Sequence, residues 1–215
     1  MKRNNIKYIV YAVIIGLLFL VPSFVTGKYD IMLFDQVLIH IIIVLGLNFI
    51  TGLTGQTNLG VAGVFAVGAY TSALLNTRFG LSPWLCLIAA LGAGVIIGVI
   101  LGYPSLRIKG KYLALTTIGF GEITRLMLNN MTTVTGGPQG VAAIQPYSFF
   151  GYQLNTEKDF YYMILIFTVL AIVIANKLIK SKWGRAFKAV RDNDSAVESC
   201  GISLAEIKVK AFITS

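Results

Sequence analysis

Charge is what this 215-residue chain has least of. Only 13% of its residues are Asp, Glu, Lys or Arg, against roughly 25% in a soluble domain. In their place 56% are hydrophobic, and mean hydropathy is +0.76. That balance excludes an ordinary soluble domain and predicts an integral membrane protein. Histidine is reduced to His40, too little for a metal centre. The two cysteines, Cys86 and Cys200, fall in very different surroundings, and neither a disulfide nor a CxxC or Cys/His metal spacing is expected. No GxxxxGK[ST] phosphate loop occurs. Gly52-Leu-Thr-Gly55-Gln-Thr57 imitates one with the wrong spacing and no lysine, so no ATP-binding loop is expected in this chain. There are no paired carboxylates and no nucleophile–base set, so we expect no enzyme, no catalytic residues and no cofactor. The net charge of +9 would suggest nucleic acid in a soluble protein; here topology explains it and no nucleic acid is expected.

The chain is organised around Gly46 to Tyr70, GLNFITGLTGQTNLGVAGVFAVGAY. Glycines and a polar cluster (Asn48, Thr51, Thr54, Gln56, Thr57, Asn58) lie between two apolar runs. Irregular backbone at membrane depth is tolerated only where protein buries it or it lines an aqueous cavity, and Gly-interrupted segments are a pointer to transport sites. A plain polar loop between two helices, either crossing or re-entrant, is the alternative. Asn48, Gln56, Asn58 and Gly60 are the candidates for lining a path.

The apolar runs predict an all-α polytopic protein of about six transmembrane helices, each near the roughly 20 residues that a bilayer requires. Their expected bounds are 8–26, 31–50, 59–77, 84–102, 111–130 and 160–179. The first resembles a signal peptide but lacks a convincing cleavage site and reads as an uncleaved span. In the second, Asp35 lies near one end, within reach of headgroups, and His40 is expected to be satisfied by a neighbouring helix. In the third, Ala62, Ala66, Ala69 and Ala73 share one face, which suits close helix packing. The fourth opens with Trp84, an interfacial anchor, and carries Gly94, Gly98 and Gly102 at GxxxG spacing, a packing face whose partner the sequence leaves open. In the fifth, Glu122 and Arg125 are three apart and can pair, as the wall of a pathway or as a salt bridge near an interface. Thr135-Gly-Gly-Pro-Gln-Gly140 marks a long external loop with a short strand or helix.

Charge sets the expected topology. Lys and Arg number 3 at the N-terminus, 3 in the 107–111 loop and 8 in 176–210, against Lys28, Arg78 and Lys158 on the other side. The positive-inside rule then makes the N-terminus and the basic tail cytoplasmic. Residues 180–203 read as a cytoplasmic coupling segment. Trp183, Phe187, Val190 and Val197 form an apolar stripe among basic residues, able to lie on lipid headgroups or in a partner's groove. Ser195-Ala-Val-Glu198 and Ser203-Leu-Ala-Glu206 fit capping boxes, separated by Gly201 as a left-handed stop. The apolar run 211–215 stops at once, so the chain is expected to be truncated at its C-terminus.

Several motifs in one order carry a resemblance. Gly46-Leu-Asn-Phe, Gly55-Gln-Thr-Asn-Leu-Gly60, Gly68-Ala-Tyr70, Lys111-Tyr-Leu-Ala-Leu-Thr-Thr-Ile-Gly-Phe-Gly-Glu122, Thr135-Gly-Gly-Pro138 and Gly184-Arg-Ala-Phe-Lys-Ala-Val-Arg-Asp-Asn-Asp194 resemble the permeases of branched-chain amino-acid ABC importers, the LivM-type subunit in particular. The resemblance implies a single permease domain forming half of a path for leucine, isoleucine or valine across a bacterial cell membrane. It implies a second, related permease subunit, two cytoplasmic ATPases and an extracytoplasmic substrate-binding protein, with membrane lipid around the whole. It places ATPase coupling on Gly184, Arg185, Ala189, Asn193, Ala196 and Gly201; the residues themselves put the path on the 46–60 stretch and the polar face of the fifth span, at Asn48, Gln56, Asn58, Gly60, Glu122 and Arg125. At Asp192, Asp194, Val197, Ser199 and Cys200 the chain departs from the family's usual elbow sequence. A urea or short-amide permease of the same family and a stand-alone ion-coupled carrier using Asp35, His40 and Glu122 are the alternatives.

Overall fold

With no water to satisfy it, a backbone in lipid closes its hydrogen bonds within helices, and the apolar runs do so here. A computed structural model describes residues 16, 18–24, 27–108, 110–149, 152–154 and 156–215. Most of the first expected span lies outside the described residues; 18–24 are helical. Five long helices follow: α1 (Lys28–Leu47), α2 (Val61–Phe79), α3 (Pro83–Gly102), α4 (Lys111–Asn130) and α5 (Glu157–Lys180). Three shorter ones close the described chain: α6 (Lys182–Asp192), α7 (Asp194–Ser199) and α8 (Leu204–Thr214). By length and composition, Lys28–Leu53, Pro83–Leu106 and Glu157–Lys180 are able to cross a membrane. Large apolar side chains such as Ile88, Leu91, Ile96, Leu115 and Ile166 face outward, as a lipid solvent requires. The protein is an all-α polytopic membrane protein.

α1 packs on α5, α2 on both α3 and α4, and α8 on α3. Ile31, Asp35 and Leu38 share the buried face of α1 and meet Tyr161, Ile164 and Leu165 of α5. Asp35 is 6% exposed and one carboxylate oxygen has no partner among the described residues, so it is buried between helices rather than reaching toward headgroups. His40 is satisfied within its own helix, its Nδ1 2.7 Å from the Gln36 carbonyl. The tight face of α2 is set by Gly63, where a Cβ would come within 2.9 Å of Gly121 Cα. The alanine stripe is only partly used: Ala73 is buried, Ala62 and Ala69 are exposed. The partner of the GxxxG face is in this chain. Gly98 lies against Ile213 and Gly102 against Val209 of α8, so α8 runs antiparallel to α3; a Cβ placed at Gly94 would meet nothing within 4 Å.

The end of the bundle that carries Arg78 is tied by side chain to backbone bonds. Arg78 donates to the carbonyls of Thr133 and Val134. Asn76, nearly fully buried, donates to Leu81 O and accepts from Gln145 N. Trp84 Nε1 donates to Ser148 O, so this indole holds a loop as well as marking a helix end. That loop contains the short turns Thr132–Thr135 and Gly137–Gln139 and a ladder pairing Ser148 with Gln153.

Candidate functional site

The opposite, basic end is built where α1 stops. Its last turn widens into a π-helix, Asn48–Leu53, a form that recurs at functional sites. A helix end leaves carbonyls without partners. Here Thr54 Oγ1 donates to Ile50 O at 2.6 Å, and Arg191 of α6 donates to Gly52 O at 2.6 Å. A cation at a helix C-terminus also complements the helix dipole. The chain then turns through Gly55, whose φ of 69° suits glycine, and re-enters the bundle. Thr57 Oγ1 donates to Gly110 O, Asn58 Oδ1 accepts from Gly60 N, and Thr117 Oγ1 accepts from Leu59 N. At Gly60 the backbone presses on the Thr117 carbonyl, leaving no room for a Cβ.

The elbow α6–α7–α8 closes over this turn. Ser181 caps α6, accepting from Trp183 N and Gly184 N while donating to Leu178 O. Gly184 is buried against the Ile179 and Leu178 carbonyls that end α5, where a side chain would collide. The stripe Phe187, Val190 and Val197 is buried with Phe49, Leu53, Ala175, Ile207 and Ala211. It therefore packs on the chain's own π-turn, and not on lipid or in a partner's groove. Trp183 stays outside, under the Lys210 ammonium at 4.1 Å. α7 is capped by Asn193, which accepts from Ser195 N and Ala196 N; Ser195 itself lies within the helix. Gly201 takes φ 74° and stops α7. Ser203 caps α8 through Glu206 N, while the Glu206 carboxylate turns to Lys210 at 2.8 Å. Lys208, buried, pairs with Asp194 at 3.1 Å and staples α8 to α7.

A cleft of about 240 Å³ lies between the turn, the loop before α4 and the elbow. Gln56 lines it, and both polar atoms of its side chain are buried with no partner among the described residues.

The expected path residues do not converge. Asn58 and Gly60 are buried turn residues, Gln56 faces the cleft, and Asn48 is exposed on the π-turn. Glu122 and Arg125 form a two-bond ion pair at 2.5 and 2.9 Å whose side chains are 52% and 60% exposed, on the uncovered face of α4. Of the expected coupling residues, Gly184 is buried, whereas Arg185, Ala189, Asn193, Ala196 and Gly201 are exposed on the elbow. Sequence reasoning gave no role to Ser181, Arg191 or Lys208. The cap was legible in the Ser just before α6; the two long-range contacts left no local signal.

Fold and site together define a polytopic membrane protein whose last helices form an elbow against a broken first hairpin. The chain belongs to the branched-chain amino acid transport system permease component family, whose model matches residues 30–215. It is similar to the high-affinity branched-chain amino acid transport system permease protein LivM of Salmonella typhimurium, 37% identical over 89% of this chain and 51% of that protein. The LivM of Escherichia coli is 35% identical over 99% of this chain and 55% of that protein. The guanosine ABC transporter permease protein NupQ of Bacillus subtilis is 24% identical over 72% of this chain and 53% of its own. The chain thus spans about half the length of the curated relatives it matches. No solved structure matches it significantly.

Proposed function

We propose that this chain is a permease subunit of an ABC importer, forming half of the translocation path for leucine, isoleucine or valine. The observation that carries the reading is the 35–37% identity to LivM proteins across 89–99% of the chain, joined to an exposed elbow built on Gly184 and Gly201. A second related permease completes the path, two cytoplasmic ATPases dock on Arg185, Ala189, Asn193 and Ala196, and an extracytoplasmic binding protein delivers the substrate. The six expected spans, at 8–26, 31–50, 59–77, 84–102, 111–130 and 160–179, place the N-terminus and the elbow in the cytoplasm of a bacterial cell. In this reading the exposed Asn48 and the Glu122–Arg125 pair form the path wall, the pair facing the second subunit, and Gln56, Asn58 and Gly60 hold the turn behind it. Reconstitution of the full-length permease pair with its ATPases and binding protein tests this. ATP-driven leucine uptake, competed by isoleucine and valine and not by urea, is the expected result. Uptake driven by an ion gradient without ATPases would favour a stand-alone carrier.

A further inference from the structure

Between Asp159 and Asp192 the chain has no acidic residue, yet it carries six basic ones: Lys177, Lys180, Lys182, Arg185, Lys188 and Arg191. The first four are exposed and flank Ser181, where α5 ends and α6 begins. Basic side chains near a helix C-terminus ordinarily serve its open carbonyls. Here that work is done by others. Ser181 donates to Leu178 O from both its Oγ and its N, and Arg185 Nη1 donates to Lys180 O at 3.3 Å. Lys177, Lys180 and Lys182 take part in no ion pair among the described residues. Lys182 also opens α6, whose first turn holds no acidic residue, so its charge opposes the helix dipole. A local rule broken without a local gain is a mark of a functional position.

One face of α5 continues this patch along the span. Ile166, Leu170, Val173 and Ile174 recur at helical spacing with Lys177, and all five are exposed. From Ile166 to Lys177 the helix rises about 16 Å, close to one leaflet of a hydrocarbon core roughly 30 Å thick. Just beyond the lysines stands Trp183, an exposed indole of the kind that settles at headgroup level. The face is distinct from that of the Glu122–Arg125 pair, since α5 packs on α1 and α6 while α4 packs on α2. A soluble protein would meet the cations and not the apolar stripe below them. A zwitterionic lipid would bring its own ammonium against them. Anionic headgroups suit clustered lysines at a membrane boundary. We infer that the junction of α5 and α6 binds an anionic phospholipid, its phosphate held by Lys177, Lys180 and Lys182 and one acyl chain laid along Ile166, Leu170 and Ile174. The bound lipid straddles Ser181, so it restrains the angle at which the elbow leaves α5. The inference uses α5 as a membrane-crossing helix and does not depend on what is transported.

The test uses the full-length chain purified in a non-ionic detergent, with lipid binding read by native mass spectrometry. Phosphatidylglycerol should bind at least fivefold more tightly than phosphatidylethanolamine with the same acyl chains. Lys177→Gln with Lys180→Gln should weaken phosphatidylglycerol at least fivefold, and Lys177→Arg with Lys180→Arg should not. Leu170→Ser with Ile174→Ser should weaken it at least threefold. These positions are exposed, so each pair should keep the parent's melting temperature in detergent. Arg107 and Lys111 are also exposed at the basic end, and Arg107→Gln with Lys111→Gln should leave binding unchanged. Glycerol phosphate, a headgroup without chains, should not displace the lipid at tenfold excess. Equal affinity for the two lipids, or full binding by the glutamine pair at 177 and 180, would overturn the site. An equal loss at Arg107 and Lys111 would reduce it to a diffuse attraction of the basic end for any anionic surface, and displacement by glycerol phosphate to a free-anion site; either result sinks the inference. Uptake is no part of the readout, so selective lipid binding by a chain that fails as an importer would uphold the site and discard the importer alone.

Discussion

Arg191 donates from its Nη1 to the carbonyl of Gly52 at 2.6 Å, across 139 residues of sequence. The bond closes a helix end and clamps the elbow onto it in one contact. A charged hydrogen bond of this kind contributes about 1.5–3 kcal/mol. Arg191→Met should therefore raise amide exchange over residues 184–199 by about 10–100-fold, measured by hydrogen–deuterium exchange. Exchange unchanged from the parent chain would mean that the apolar stripe alone holds the elbow.

Gly201 tests backbone geometry without packing. No atom lies within 4 Å of a Cβ placed there, yet φ is 74°. A left-handed conformation costs a side-chain-bearing residue roughly 1–2 kcal/mol, least for asparagine, which adopts it routinely. Gly201→Asn should retain most uptake and Gly201→Val should abolish it, with membrane insertion and binding-protein affinity intact in both. Normal uptake by the valine variant would remove the turn from coupling.

The glycines of α3 should sort by position. A Cβ added at Gly98 or Gly102 would meet α8 backbone at 3.0 or 3.1 Å, and one added at Gly94 would meet nothing within 4 Å. Overpacking costs about 1–3 kcal/mol, so Gly98→Val and Gly102→Val should lower the melting temperature of the purified chain while Gly94→Val should not. Equal effects at all three sites would show that α8 does not occupy that face.

The two cysteines report orientation unaided. Cys86 is buried and Cys200 exposed. An impermeant maleimide should label Cys200 in inverted vesicles and not in intact cells, and bound ATPases should protect it. Labelling from outside would turn the basic tail away from any cytoplasmic motor.

Glu122 and Arg125 pair on an open face of α4. An ionised group alone at a helix centre is costed at about 2.5–3.5 kcal/mol on insertion scales. Glu122→Gln should cut uptake about tenfold or more, and the exchanged pair Glu122→Arg with Arg125→Glu should recover part of it. Full uptake by Glu122→Leu with Arg125→Leu would exclude the pair from the path.

Local patterns in the sequence were sufficient for much of this architecture. The long apolar runs, the left-handed Gly201 and the Ser203 cap follow from composition and from interactions within four residues. The i, i+3 geometry of Glu122 and Arg125 is equally local. The α7 cap was misplaced because Asn193 and Ser195 both offer cap chemistry; asparagine, among the strongest cap residues, enters first. The alanine stripe was over-read because Gly63 permits a closer approach than alanine does. Nothing local reveals that Arg191 reaches Gly52 or that Lys208 is buried on Asp194. Those depend on how distant segments meet, and so does the cleft they enclose.

The Lys208–Asp194 staple has a mechanical corollary. Because α8 is pinned to α7 at one end and seated in the glycine groove of α3 along its side, the elbow has little freedom to swivel by itself. A push delivered to the exposed rim near Asn193 and Ala196 would be geared into α3 through α8 and into the π-turn through Arg191, so the two would shift together.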